Sequence, residues 1–122
     1  IPAAVTKIGE NAFYSCDFLK SITILGAAEI DVRAFFGCSS ATYALISDKL
    51  AKIDNYAFLQ CTSLKNIFFT GDSEAWENIE IPAEEDIAFL ENVNVAFYSE
   101  TAPTGEGSFW HFDENGIPTL WN

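Results

Sequence analysis

The stretch ENAFYSC, residues 10–16, returns as RAFFGC at 33–38 and as NYAFLQC at 55–61, and these phrases hold the chain's only three cysteines. Each cysteine stands three positions after a phenylalanine: Phe13, Phe35 and Phe58. Working outward from Cys16, Cys38 and Cys61, which follow one another at a nearly constant interval, the same side-chain types recur at fixed offsets. Ile8, Ile30 and Ile53 form one column, Ala12, Ala34 and Ala57 another, and Val5, Ala27 and Leu50 an apolar third. After the cysteine, Leu19, Ile22 and Ile24 correspond to Leu64, Ile67 and Phe69, while the middle unit offers only Ala41, Ala44 and Ile46. A short, regular period with apolar columns marks a solenoid, in which each unit buries its face against its neighbours. Copies stack roughly 5 Å apart, so a compact thiol and a flat ring are suited to meet themselves. The cysteines are therefore read as a buried, reduced ladder.

Other uses of the thiols fit less well. Zinc sites want close cysteine pairs with a nearby His or second pair, whereas these cysteines are far apart and the single histidine, His111, is distant. No unit places a histidine or a charged partner beside its cysteine, as a catalytic thiol requires. The 122 residues are enough for one domain, and 49% are hydrophobic, which argues against disorder. All six basic residues fall at or before Lys65, and the twelve acidic residues from Asp72 to Glu114 carry the net charge of −12. A nucleic-acid site needs clustered Lys and Arg. No apolar run reaches the length of a membrane span, and the opening IPAAVTKIG reads as the middle of a pattern, as in a piece of a longer protein.

IPAAVTKIGENAFYSCDFLKSITIL and LAKIDNYAFLQCTSLKNIFF resemble the BspA-type leucine-rich repeats also found in treponemal surface proteins. The likeness covers about residues 1–72, with Asp31 and Asp54 where the family usually has Gly, as at Gly9. It implies short β-strands stacked into a curved right-handed superhelix, from a bacterial or protozoan cell-surface protein that is typically adhesive. It implies no catalytic residue and no cofactor. Residues 1–72 are accordingly taken as about three repeats and 73–122 as a C-terminal cap of short helices and a β-hairpin.

Strands are expected in LKSITIL, TYALIS and LKNIFFT, which are rich in β-branched and aromatic residues. With Leu19, Ile22 and Ile24 inward, alternation turns Thr23, Leu45 and Phe68 outward, with Tyr43 and Asn66 beside them. This exposed apolar column, Thr23, Tyr43, Leu45, Asn66 and Phe68, is the candidate surface for an extracellular or host protein partner.

Beyond Asp72 the period fails. Ser73 with Glu74 and Glu77 signals a helix start, Trp76 and Ile79 should face the core, PAEEDIAFLEN offers a second helical turn, and VNVAFYS alternates as a strand. FWHF and PTLW flank an Asn115-Gly116 turn, the mark of a hairpin. Its rings Phe109, Trp110, Phe112 and Trp121 offer an alternative, a cell-wall or host-glycan site. His111 with Asp113 or Glu114 is the one candidate acid–base pair, on a hairpin with no dry pocket. Glu80, Glu84, Glu85 and Asp86 lack the ligand spacing of a calcium loop and are read as a solvated acidic face.

Overall fold

The structure is a computed structural model that describes residue 1 and residues 4–122; Pro2 and Ala3 of the opening phrase lie outside it. In chain order the elements are β1 (Lys7–Ile8), β2 (Ser21–Ile24), β3 (Glu29–Ile30), β4 (Tyr43–Ile46), β5 (Lys52–Ile53), β6 (Asn66–Phe69), α1 (Ser73–Glu77), α2 (Glu84–Leu90), β7 (Asn94–Tyr98), β8 (Phe109–Phe112) and β9 (Pro118–Leu120). β2, β4 and β6 are the strands expected from the pattern. The very short strands before each cysteine phrase are not among them.

Each turn of the repeat contributes one strand to each of two parallel sheets. β1, β3 and β5 pair so that Ile8, Ile30 and Ile53 are in register. β2, β4 and β6 pair so that Ile22, Ala44 and Ile67, and then Ile24, Ile46 and Phe69, are in register. The columns read from the sequence are thus rows in space, and their side chains form the main core. The Phe13 and Phe35 rings stack at 5.1 Å and 1°, Phe35 and Phe58 at 5.5 Å and 5°.

The cysteine is part of the same ladder. The Cys38 thiol donates to the Phe13 carbonyl at 3.2 Å and the Cys61 thiol to the Phe35 carbonyl at 3.1 Å. Those carbonyls already accept the amides of Cys16 and Cys38 in their own turns. The thiol of the next turn occupies the remaining acceptor capacity of a carbonyl in the packed interior. All three cysteines are free; Cys38 and Cys61 are buried, but Cys16 is only half-buried, which corrects the expectation of uniform burial. Among the described residues no turn packs on its far side. Burial pushes the Cys61 thiol up to about 12 and also raises Cys38.

Two backbone positions in each turn sit in the left-handed region: Asn11, Arg33 and Tyr56 ahead of the phenylalanine, and Ser15, Gly37 and Gln60 immediately before the cysteine. Asp31 and Asp54, in the column of Gly9, are outside that region. Each closes the turn by accepting the next amide, Val32 at 2.7 Å and Asn55 at 2.8 Å, so the position favours a short acceptor side chain rather than requiring glycine.

Both sheets continue past β6. Glu80 bridges Lys52 beside β5, and β7 pairs with β6 as Asn66↔Asn94 through Phe69↔Phe97. The steps from Lys52 to Glu80 and from Asn66 to Asn94 are longer than those between successive cysteines because α1 is inserted after β6, while α2 stands where the Phe/Cys turn would be without lengthening it. α1 is capped by Asp72, whose carboxylate accepts the Ala75 amide at 2.9 Å, one position before the expected cap at Ser73. Trp76 and Ile79 pack on the core as expected. β8 runs parallel to β7 and antiparallel to β9. In the hairpin the Gly116 amide donates to the Asp113 carbonyl at 3.0 Å, and Gly116, not Asn115, has the positive φ, 77°. That is a type I turn closed by a glycine bulge.

Candidate functional site

The outward face of the larger sheet follows the strand alternation as read, but its apolar side chains are not at the surface. Leu45 and Phe68 point away from the main core yet are only 6% and 4% exposed. They belong to a second, smaller core with Ala96 and Trp110, flanked by Tyr43 and Leu120. The row Thr23, Leu45, Phe68 ends at Ala96. A methyl there leaves space for the Trp110 indole from the neighbouring strand, which packs on Phe68 at 5.6 Å and donates from Nε1 to the Phe69 carbonyl at 2.7 Å. The expected exposed column is therefore corrected: Leu45 and Phe68 are floor, and the hairpin covers them.

What remains open is an aromatic rim around that floor. Tyr98 and Phe112 are 42% and 47% exposed and pack edge-on to Trp110 at 5.1 and 5.0 Å. Tyr43, half-buried, leans on Phe68 at 5.5 Å. Thr23 and Asn66 are half-buried at the surface. Asn66 accepts from Asn94 Nδ2 at 3.0 Å, and the same amide group donates to Ser108 Oγ at 2.9 Å, so a polar row runs beside the rings. Tyr98 is absent from the expected residues, and Phe112 is expected only among the rings of the alternative glycan site, not on this face. Their signal is present in the alternation of NVAFY and FWHF, but only the pairing of β7 with β6 and β8 places them on this face.

The four rings proposed for sugar stacking do not form one platform. Alternation along β8 puts Trp110 and Phe112 on one face and Phe109 on the other. Trp110 has no exposed surface, and Trp121 is half-buried, stacked at 3.8 Å on His111, its Nε1 donating to the Ser99 carbonyl at 2.8 Å. Nor is an acid–base pair assembled. His111 Nδ1 lies 3.0 Å from the Phe112 carbonyl, while Asp113 accepts the amides of Asn115 and Ile117.

Acidic residues meet where the sequence did not suggest it. Carboxylate oxygens of Glu29, Asp31 and Asp54 lie within 4.8 Å of one another, because their columns stack. Lys7 reaches Asp31 at 3.4 Å, and Lys52 reaches Asp54 at 3.7 Å and Glu80 at 3.6 Å. The Val32 amide and then Lys7 hold Asp31 below the usual carboxylate range, and Asp54 foremost raises Lys52. These lysines neutralise much of the group. Asp86, expected on a solvated face with Glu80, Glu84 and Glu85, is instead buried, with Oδ2 accepting the Tyr56 amide at 2.7 Å and Oδ1 unpartnered. Burial raises it. Among the described residues no helix is long and apolar enough to cross a membrane.

A family model described as BspA type leucine-rich repeat region matches residues 1–96 in six copies, reaching into β7. No curated protein and no solved structure matches the chain.

Proposed function

This chain belongs to the BspA-type leucine-rich repeat family, and from that premise we propose that it is a non-enzymatic adhesion module of a bacterial cell-surface protein. Proteins of this family are generally surface-associated interaction modules, typically without enzymatic activity. In this reading residues 1–72 are turns of a curved right-handed superhelix and 73–122 their cap. The partner is an extracellular or host protein, held on the outward face of the larger sheet.

The observation that carries the proposal is the exposure of Tyr98 and Phe112 on a rigid aromatic floor. Large rings held by packing lose little freedom on binding and make strong anchors. Tyr43, Thr23 and Asn66 extend the contact along the rows, and Leu45 and Phe68 support it from beneath. The test is surface binding of the intact chain to a panel of extracellular matrix and plasma proteins. Tyr98→Ala with Phe112→Ala should weaken any captured partner at least about tenfold, the loss expected when anchor residues are truncated, with the melting temperature little changed. Undiminished binding by the folded double variant would remove this face from consideration.

A further inference from the structure

A second surface feature lies beside the β7–β8 pair, walled by the rings of the opposite face, and shares only Tyr98 with the aromatic rim. A cleft of about 690 Å³ opens at the carboxyl ends of β4, β6 and β7, between the turn after β6 and the connection leading into β8. Parallel strands need a crossover, and residues 99–108 supply it without a helix, so the space beside β7 is left unfilled. Half-buried rings of Phe97 and Phe109, paired in register, form an aromatic wall. Three carboxylates stand around them: Asp48, Asp72 and Glu106. Among the described residues no basic side chain lines the cleft.

The backbone fixes this shape. A Cβ at Gly71 would meet Asp48 Cβ and the Phe69 ring at 2.8 Å, so the wall there closes only around glycine. Gly107, at φ +119°, lets the crossover pass the Phe109 ring, whose nearest atom would lie 3.3 Å from an added Cβ. Asp48 is tied across to the next strand end by its amide, which donates to Thr70 Oγ1 at 2.9 Å. Asp72 uses Oδ1 on the Ala75 amide and is itself among the residues that line the cleft.

Aromatic walls with several carboxylates and no cation of their own match one side-chain chemistry above others. A guanidinium is planar, stacks on rings and donates in a fork to carboxylates, whereas an ammonium is compact and strongly hydrated. We infer that this cleft receives an arginine side chain of a protein partner. Arginine contributes a charge-assisted contact here that the apolar rim formed by Tyr98 and Phe112 lacks.

The test uses the intact chain and a small probe, so it does not depend on finding the partner. Amide resonances of ¹⁵N-labelled protein are followed while N-acetyl-arginine amide is added, with N-acetyl-citrulline amide as the neutral isostere. The arginine probe should shift Gly71, Asp72, Gly107 and Phe109 saturably. Citrulline should bind at least about tenfold more weakly, as loss of charge-assisted hydrogen bonds implies. Asp48→Asn with Glu106→Gln should weaken arginine by a similar factor while leaving the rest of the spectrum in place. Equal shifts from citrulline, arginine shifts confined to other residues, or response at these residues to a neutral oligosaccharide alone would each overturn the assignment. Phe112 lies outside the cleft, so Phe112→Ala tests the rim separately from all of these outcomes.

Discussion

The repeated turns and the region after Asp72 solve the same problem in different ways. Within the repeats, backbone groups of one turn are satisfied by the equivalent stretch of the next: the amides of Asn11 and Arg33 donate to the carbonyls of Val32 and Asn55. Tyr56 occupies the same column, and where the next copy would stand there is α2, so its amide goes to the Asp86 carboxylate. One acidic side chain imitates a missing turn. The apolar rows show the same substitution, because the row through Leu45 and Phe68 ends at Ala96 and the single Trp110 from the hairpin completes it. Repetition spreads stabilisation over many equivalent small contacts, and the terminal region concentrates it in a few residues without equivalents.

Mutations should separate the two regimes. The largest effect is expected at Trp110→Ala, which removes a fully buried ring and its hydrogen bond to the Phe69 carbonyl and opens Leu45 and Phe68 to water. It should cost about 3–5 kcal/mol in urea unfolding, the range for truncating a buried aromatic. A loss under about 1 kcal/mol would mean that the second core is not a unit.

Asp86→Ala comes next, at about 1–3 kcal/mol, because it leaves the Tyr56 amide without a partner. Asp86→Asn keeps an acceptor there and separates charge from hydrogen bonding. Burial raises Asp86 above the ordinary carboxylate value of 3.8, so the folded chain holds this proton more readily than the unfolded one. Its contribution to stability is full below 3.8 and is lost as pH rises through the folded value. Asp31 runs the other way: it is lowered by the Val32 amide, then Lys7, and loses its contribution as pH falls below 3.8. Asp86→Asn should therefore flatten the decline above 3.8 and leave the acid limb intact, as read by melting temperature across pH.

Thiol labelling is a subtler probe. Cys16 is half-buried, whereas Cys38 is buried and raised and Cys61 is buried and pushed up to about 12. Reagents attack the thiolate, so Cys16 should label first in the native protein, and the other two only at the rate of opening. Simultaneous labelling of all three would contradict the ladder. The smallest effect belongs to Gly9→Asp. Among the described residues an added Cβ meets nothing within 4 Å, and Asp31 and Asp54 show the bond a carboxylate makes in that column. A gain of about 0.5 kcal/mol is expected, mostly from restricting the unfolded chain; a loss would show that the first turn is shaped differently from the next two.

The same contrast explains what could be read in advance. The ladder columns were legible because stacking forces each position to repeat its own chemistry, and the Phe, Cys and Ile rows fell where the offsets put them. The left-handed positions were not, since Asn11, Arg33 and Tyr56 share a conformation without sharing a side chain. The fourth rung was hidden because Glu80 and β7 keep its pairing but α2 replaces its Phe/Cys turn, and α1, inserted before Glu80, lengthens the spacing. The burial of Leu45 and Phe68 depended on Trp110, which is remote from both in the chain and matched to no column. Alternation gave the direction of those side chains, while the covering strand decided their exposure.

The thiol-to-carbonyl rungs also make resistance to oxidants a matter of address. Oxidising Cys38 or Cys61 would replace a small donor with a larger polar group in a space already filled by the Phe13 or Phe35 carbonyl. Each turn therefore serves as a shield for the sulfur of its neighbour, and in the chain as it stands peroxide should reach the half-buried Cys16 before Cys38 and Cys61.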